Sequence, residues 1–161
     1  MAHFCSDRTQ PTSLDTVHLR VMRFASGIFY IILMALPILA QTESLSYDTT
    51  YDNSTLSLDY VACSDGPNGL INKGYTTLGQ LPTFPRLGGV YTVTGWDSAY
   101  CGTCYEVTYG NTTLAVLAVD TASEGFNLSE EAMNALTGGE AAFLGRVEVT
   151  AVEVAASVCG M

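Results

Sequence analysis

The chain has 161 residues, 48% hydrophobic and 14% charged, which is enough apolar material for one globular core and too much for a disordered protein. Its formal charge is −10, and from residue 41 onward Lys73, Arg86 and Arg146 stand against fourteen acids. A surface that acidic excludes nucleic acid, whose affinity comes from Lys and Arg displacing counterions, and disfavours anionic membranes for the same reason.

Residues 1–21 are polar and read as a disordered extension of the gene model, because Met22-Arg23-Phe24 opens an ordinary signal-peptide n-region. Residues 22–40 are the expected signal peptide. Arg20 and Arg23 precede the apolar run Ile28 to Leu36, and no charge occurs from Phe24 to Thr42. Pro37 follows the apolar run, and Ala40 supplies a small residue for cleavage. The alternative is a membrane anchor, for which the stretch is barely long enough and Pro37 and Gln41 are poor lipid-facing residues. Residues 41–161 then form one exported domain, without repeat or linker and with no membrane attachment after cleavage.

In that domain Ser46 to Tyr51, rich in Tyr and Thr, reads as a first strand. Gly89 to Thr94 and Cys104 to Tyr109 read as two more, the latter closed by a hairpin turn at Gly110-Asn111. Leu114 to Val119 is continuously apolar and reads as a buried central strand. Ser129 caps a helix whose first turn holds Glu130 and Glu131 and which Gly138 ends. Val147, Val149, Val152 and Val154 mark a last strand, with a phase slip at Ala151-Val152 that suggests a bulge. A small barrel is the simplest way for so many short strands to avoid open edges.

Cys5 falls in the discarded segment, which leaves Cys63, Cys101, Cys104 and Cys159, an even set with three pairings open to it. Cys101-x-x-Cys104 resembles a redox motif or half a zinc site, but Cys63 and Cys159 are isolated rather than a second close pair. Structural disulfides fit an oxidising compartment better, each worth about 4 kcal/mol on the chain-entropy model. Sequons at Asn53, Asn111 and Asn127 are candidates for glycosylation.

His3 and His18 both precede the domain, so Ser-His-Asp and Cys-His catalysis and histidine metal sites have no residues to use there. No metal and no cofactor is expected. Carboxylates, aromatics and amides remain. Asp120 directly follows the apolar strand and is either an anchor for local backbone amides or part of a site. Asp65 lies in the turn-rich Cys63-Ser64-Asp65-Gly66-Pro67-Asn68-Gly69. Trp96 is the one tryptophan; such a residue is more often core than sugar platform, although Asp97 and Ser98 beside it suggest partial exposure.

These residues belong to a longer pattern. Val61 to Leu70, Lys73-Gly74-Tyr75, Cys101-Gly102-Thr103-Cys104, Glu124 to Asn127, Asn134 to Gly139 and Ala155 to Gly160 together resemble the cerato-platanin family, from about Leu45 to Met161. The resemblance implies a mainly β fold, a six-stranded double-psi β-barrel with one or two short helices. It implies disulfides Cys63–Cys101 and Cys104–Cys159. It also implies secretion by a fungus, a place in the fungal cell wall, and binding of chitin or N-acetylglucosamine oligomers in a shallow groove. Recognition by a plant receptor as an elicitor and loosening of cellulosic wall polymers without hydrolysis belong to the same expectation. In that groove Asp120 would accept from sugar hydroxyls, Asp65 and Asn68 would contribute from the first loop, and Tyr75 or Trp96 would face a pyranose ring. The family often has His after this aspartate; here Thr121 stands in its place.

Two rival readings follow from the residues. In a glycoside hydrolase, Asp120 would be the acid and Asp65, Asp97 or Glu124 the second carboxylate. In a surface-active structural wall protein, the chain would self-assemble at an air-water interface, whereas the expected monomer, if it binds sugar in solution, would count against that rival.

Overall fold

A computed structural model describes residues 40–161; the expected extension and signal peptide lie outside the described residues. Six strands form a closed barrel: β1 Gln41–Tyr47, β2 Leu87–Val90, β3 Cys104–Tyr109, β4 Thr112–Thr121, β5 Phe126–Leu128 and β6 Arg146–Val154. Their order around the barrel is β1-β5-β2-β4-β3-β6, and β6 closes it by pairing antiparallel with β1. Two pairs, β1–β5 and β2–β4, are parallel, and the rest are antiparallel. This is the six-stranded barrel that the resemblance implied. Two short helices, α1 Glu130–Thr137 and α2 Ala141–Leu144, lie between β5 and β6.

The clearest sequence signals became the elements they suggested. β3 and β4 form a hairpin in which Tyr109 pairs with Thr112 across Gly110-Asn111, and Val116 to Val119 are fully buried. Ser129 Oγ accepts from Ala132 N–H at 3.0 Å at the start of α1, and Asp52 accepts from Glu130 N–H and Glu131 N–H at 2.9 and 3.0 Å. Three of the helix's first amides are thereby satisfied, one of them through the expected cap. Ala132, Met133 and Leu136 turn inward to join Leu45, Val107, Leu117, Phe126 and Leu128 in the core.

Three expectations need correction. The first strand is β1, Gln41–Tyr47, not Ser46 to Tyr51; Asp48 accepts from Thr50 N–H and turns the chain into a 3₁₀ turn at Thr49–Asp52. Only Leu45 of β1 is buried, so the strand is specified by pairing with β5 and β6 rather than by an apolar run. The second strand is Leu87–Val90 rather than Gly89 to Thr94. It holds two glycines because a Cβ at Gly88 would lie 2.3 Å from Asn127 O, and one at Gly89 2.3 Å from Thr121 O. Close approach of neighbouring backbone overrides the low strand propensity of glycine. The bulge suggested at Ala151-Val152 is absent, since β3 and β6 pair in unbroken register from Thr108↔Thr150 to Cys104↔Val154. Ala151 carries the inward phase after Val147 and Val149, and Val152 falls on the other face. The register shift lies instead at Gly88/Gly89, between β2 and β4.

Both implied disulfides are formed, Cys63–Cys101 with Cα atoms 5.2 Å apart and Cys104–Cys159 at 5.7 Å. Among the described residues no helix is long and apolar enough to cross a membrane.

Candidate functional site

β4 delivers Asp120 to the last turn of the barrel wall, where it pairs with Gly89 of β2. Its carboxylate is half-buried and already holds three donors. Oδ1 accepts from Ala62 N–H at 2.9 Å and from Thr121 N–H at 2.8 Å, and Oδ2 accepts from the Tyr51 hydroxyl at 3.1 Å. The choice between an anchor for amides and part of a site therefore has a definite first half: Asp120 anchors. A carboxylate has about four lone-pair positions, so one direction is left for an outside donor. Tyr51 is buried, and burial together with the neighbouring Asp120 and Asp48 charges raises its phenol well above the ordinary value. Sequence reasoning placed Tyr51 at a strand end and missed this contact; nothing local marks a tyrosine whose partner lies 69 residues away.

The segment that Asp120 holds continues into the first loop. Cys63 N–H donates to Val119 O at 3.1 Å, and the Cys63–Cys101 bridge ties the same residue to the chain after Trp96. Beyond it two loops interlock. Trp96 Nε1 donates to Asp65 Oδ1 at 2.7 Å, Asn68 N–H donates to Asp97 Oδ1 at 2.8 Å, and Asn68 Nδ2 donates to Asp97 O at 3.0 Å. Gly66 packs so closely that a Cβ there would sit 2.8 Å from the Asp97 carboxyl carbon, and Asp97 itself has a φ of 56°. The structure thus brings Asp65, Asn68 and Trp96 together and connects them to Asp120 through residues 61–63. Trp96 is 65% exposed, as Asp97 and Ser98 beside it suggested, and its ring is fixed at the surface by its N–H. Tyr75 stands apart. It is half-buried against the core, and among the described residues no side-chain hydrogen bond ties it to the other four.

The carboxylates weighed as a second catalytic group are all engaged. Asp65 holds the Trp96 indole, Asp97 holds the Asn68 amide, and Glu124 is paired with Arg146 at 2.8 Å. Among the described residues no group of three or more His, Cys, Asp or Glu side chains converges as metal ligands would. Of the sequons, Asn53 and Asn111 are exposed; Asn127 lies within β5 and accepts from Ser46 Oγ at 3.0 Å.

The cerato-platanin family profile matches residues 43–161. The chain belongs to the cerato-platanin family. It is 48% identical over 137 residues to the heat-stable 19 kDa antigen of Coccidioides immitis, covering 85% of this chain and 93% of that one. It is 43% identical over 122 residues to cerato-platanin of Ceratocystis fimbriata f. sp. platani, covering 74% and 88%. Among solved structures, cerato-platanin 3 of M. perniciosa superposes with a TM-score of 0.73 at 46% identity, over 75% of this chain and all of that one. The interlocked loops and the aspartate at the end of β4 thus sit on the barrel of a cerato-platanin family member.

Proposed function

We propose that the chain is a secreted, non-hydrolytic wall protein that binds N-acetylglucosamine oligomers on the face formed by Asp120, Asp65, Asn68 and Trp96. Family membership supports a general cell-wall and elicitor role. The observation that carries the finer reading is the exposed Trp96 ring, oriented by a carboxylate and set on interlocked loops that lead back to Asp120. A flat ring beside fixed polar groups suits a pyranose, whose C–H face stacks while its hydroxyls hydrogen-bond. Tyr75, half-buried against the core, is the second aromatic side chain of this reading. Family membership supports the non-hydrolytic reading, and the carboxylates weighed as a second catalytic group each serve a structural partner. Contact with cellulosic polymers and with a plant receptor belongs to the same reading.

Because Asp120 also anchors the backbone, the test uses Asp120→Asn and Trp96→Ala rather than full truncation. Titration of chitin tetramer against wild type should give weak binding, with a dissociation constant in about the micromolar to millimolar range. Trp96→Ala should weaken it about tenfold, in keeping with a stacking contact of ~1–1.5 kcal/mol. Unchanged affinity in both folded variants would overturn the site, and reducing ends released from chitin and lost in Asp120→Asn would overturn the non-hydrolytic reading.

A further inference from the structure

Asn68 is followed by Gly69, whereas the other asparagines precede Ser54, Lys73, Thr112, Leu128 and Ala135. Asn-Gly is the asparagine dipeptide most open to deamidation, because a residue without a Cβ lets its amide nitrogen approach the preceding side-chain carbonyl carbon unhindered. Packing requires both residues here. A Cβ at position 69 would lie 2.3 Å from Asp65 O and 2.5 Å from Ser64 O, so only glycine fits. Asn68 bolts the first loop to the second, its N–H donating to Asp97 Oδ1 and its Nδ2 to Asp97 O.

The fold that needs this reactive pair also holds it inert. Deamidation turns the Gly69 nitrogen onto Asn68 Cγ, yet Gly69 N–H donates to Gly66 O at 2.9 Å, and the nitrogen that must leave, Nδ2, is itself engaged. Gly69 is buried, and the chain after it is tied back by Leu70 N–H to Cys63 O at 2.9 Å and Ile71 N–H to Ser64 O at 3.0 Å. Reaching the reactive geometry therefore means opening the interlock first, a local event rather than global unfolding.

We propose that Asn68 is a site of covalent modification kept latent by the interlock: once the loops part, deamidation at Asn68 prevents them from locking again. The Gly69 N–Asn68 Cγ bond forms as the Asn68 Cγ–Nδ2 bond breaks, and the side-chain nitrogen leaves as ammonia carrying the Gly69 proton. Water then adds to either carbonyl of the succinimide and opens it to aspartate or isoaspartate, with no change of oxidation state. Aspartate puts a carboxylate where Nδ2 donated, against Asp97 O and near the Asp97 carboxylate, so a hydrogen bond becomes a repulsion. Isoaspartate adds a methylene to the main chain beside Gly69, where there is no room even for a Cβ. Either product frees the Asp97 loop and, with it, the neighbouring Trp96. The step rests on the interlock and not on sugar binding, so the two readings fail separately.

Peptide mapping of the folded protein, and of the same protein in strong denaturant with its disulfides intact, both in alkaline buffer, follows the mass gain at each asparagine, with isoaspartyl methyltransferase as a second readout. Modification should concentrate at Asn68 and run at least about tenfold slower in the folded protein, because it waits on local opening. Asp97→Gly keeps the positive φ and removes the carboxylate acceptor, so it should speed the folded reaction. Asn68→Gln, which would have to close a larger ring, should silence the position. Asn68→Asp should raise amide exchange at residues 68 and 69 and red-shift the fluorescence of Trp96, the one tryptophan. If that variant does not fold, deamidated wild type taken from denaturant into native buffer gives the same readings, and it should stay open at these loops while the unmodified fraction recloses. Equal folded and denatured rates at Asn68, another asparagine leading in denaturant, an Asp97→Gly rate equal to wild type, or wild-type exchange and fluorescence in the deamidated protein would each overturn the proposal.

Discussion

The two carboxylate-bearing surfaces of this barrel differ in what their charges are already doing. Asp120 is saturated from within: two backbone amides and a buried phenol converge on it, and its removal would leave Ala62 N–H and the Tyr51 hydroxyl without acceptors. Glu43 and Glu153 line a cavity beside the Tyr91 phenol and the Gln41 amide, and among the described residues neither accepts a backbone N–H. The contrast separates two uses of the same functional group. An acid surrounded by internal donors is first a structural joint, and a ligand can use only what the joint leaves over. An acid that holds no backbone amide adds little to the fold.

The largest effect that would break this contrast is at the joint. Asp120→Ala should destabilise the folded domain by about 1.5–3 kcal/mol, the usual cost of losing hydrogen bonds to a charged acceptor and leaving a buried donor unpaired. Asp120→Asn, which keeps an acceptor for Ala62, should lose less. Equilibrium denaturation of the two variants measures the difference, and equal, negligible losses would mean that the joint contributes nothing.

A smaller effect lies in the alkaline limb of stability. The folded Tyr51 phenol is raised, so the folded form holds its proton where the unfolded chain has released it. Stability from this source is complete below the unfolded tyrosine value of about 10 and is lost as pH rises from there toward the folded value. Tyr91 and Tyr105 are raised as well and act in the same direction. Tyr51→Phe should cost about 1 kcal/mol at neutral pH by losing the bond to Asp120, and should flatten the decline of stability above about pH 10. Denaturation midpoints measured from neutral to strongly alkaline pH test both parts. An unchanged slope would assign the limb to other groups.

The smallest expected effect belongs to the cavity. Glu43→Gln/Glu153→Gln should leave the unfolding free energy within about 0.5 kcal/mol of wild type, as surface substitutions without internal partners do. A clear loss would show that these carboxylates have a structural partner after all and would erase the difference between the two surfaces.

What could be read from the chain divides along similar lines. α1 was legible because its cap, its acidic first turn and its terminal glycine are all local to the segment. The β3–β4 hairpin was legible because Gly110-Asn111 separates two strand-like runs. β1 and β2 were misplaced because their signals are elsewhere. A polar Gln-Thr-Glu-Ser stretch and a Gly-Gly pair become strands only through neighbours that arrive from Phe126 to Leu128 and beyond. Ala151 concealed the phase of β6, since a small residue facing the core carries little hydrophobic signal. Of the proposed site, Asp65, Trp96 and Asp120 stood out as residues and Asn68 and Tyr75 entered through the family resemblance, whereas Tyr51 and the cavity carried no signal. The lining residues of that cavity come from strands that are distant in sequence and adjacent only once the sheet has closed.

That closure has a consequence for what the domain can become. The first strand lies between β5 and β6, so Gln41–Tyr47 has no strand to join until the chain beyond Phe126 is available. Assembly therefore waits on contacts between opposite ends of the polypeptide, the kind of topology that folds slowly and cooperatively. A fragment ending before β6 would expose raw hydrogen-bonding edges on β1 and β3 together, a template for intermolecular stacking that the intact ring denies. A chain truncated before Arg146 should thus offer a foreign strand two places to attach where the intact ring offers none, whereas a proteolytic nick there leaves β6 tethered through Cys104–Cys159.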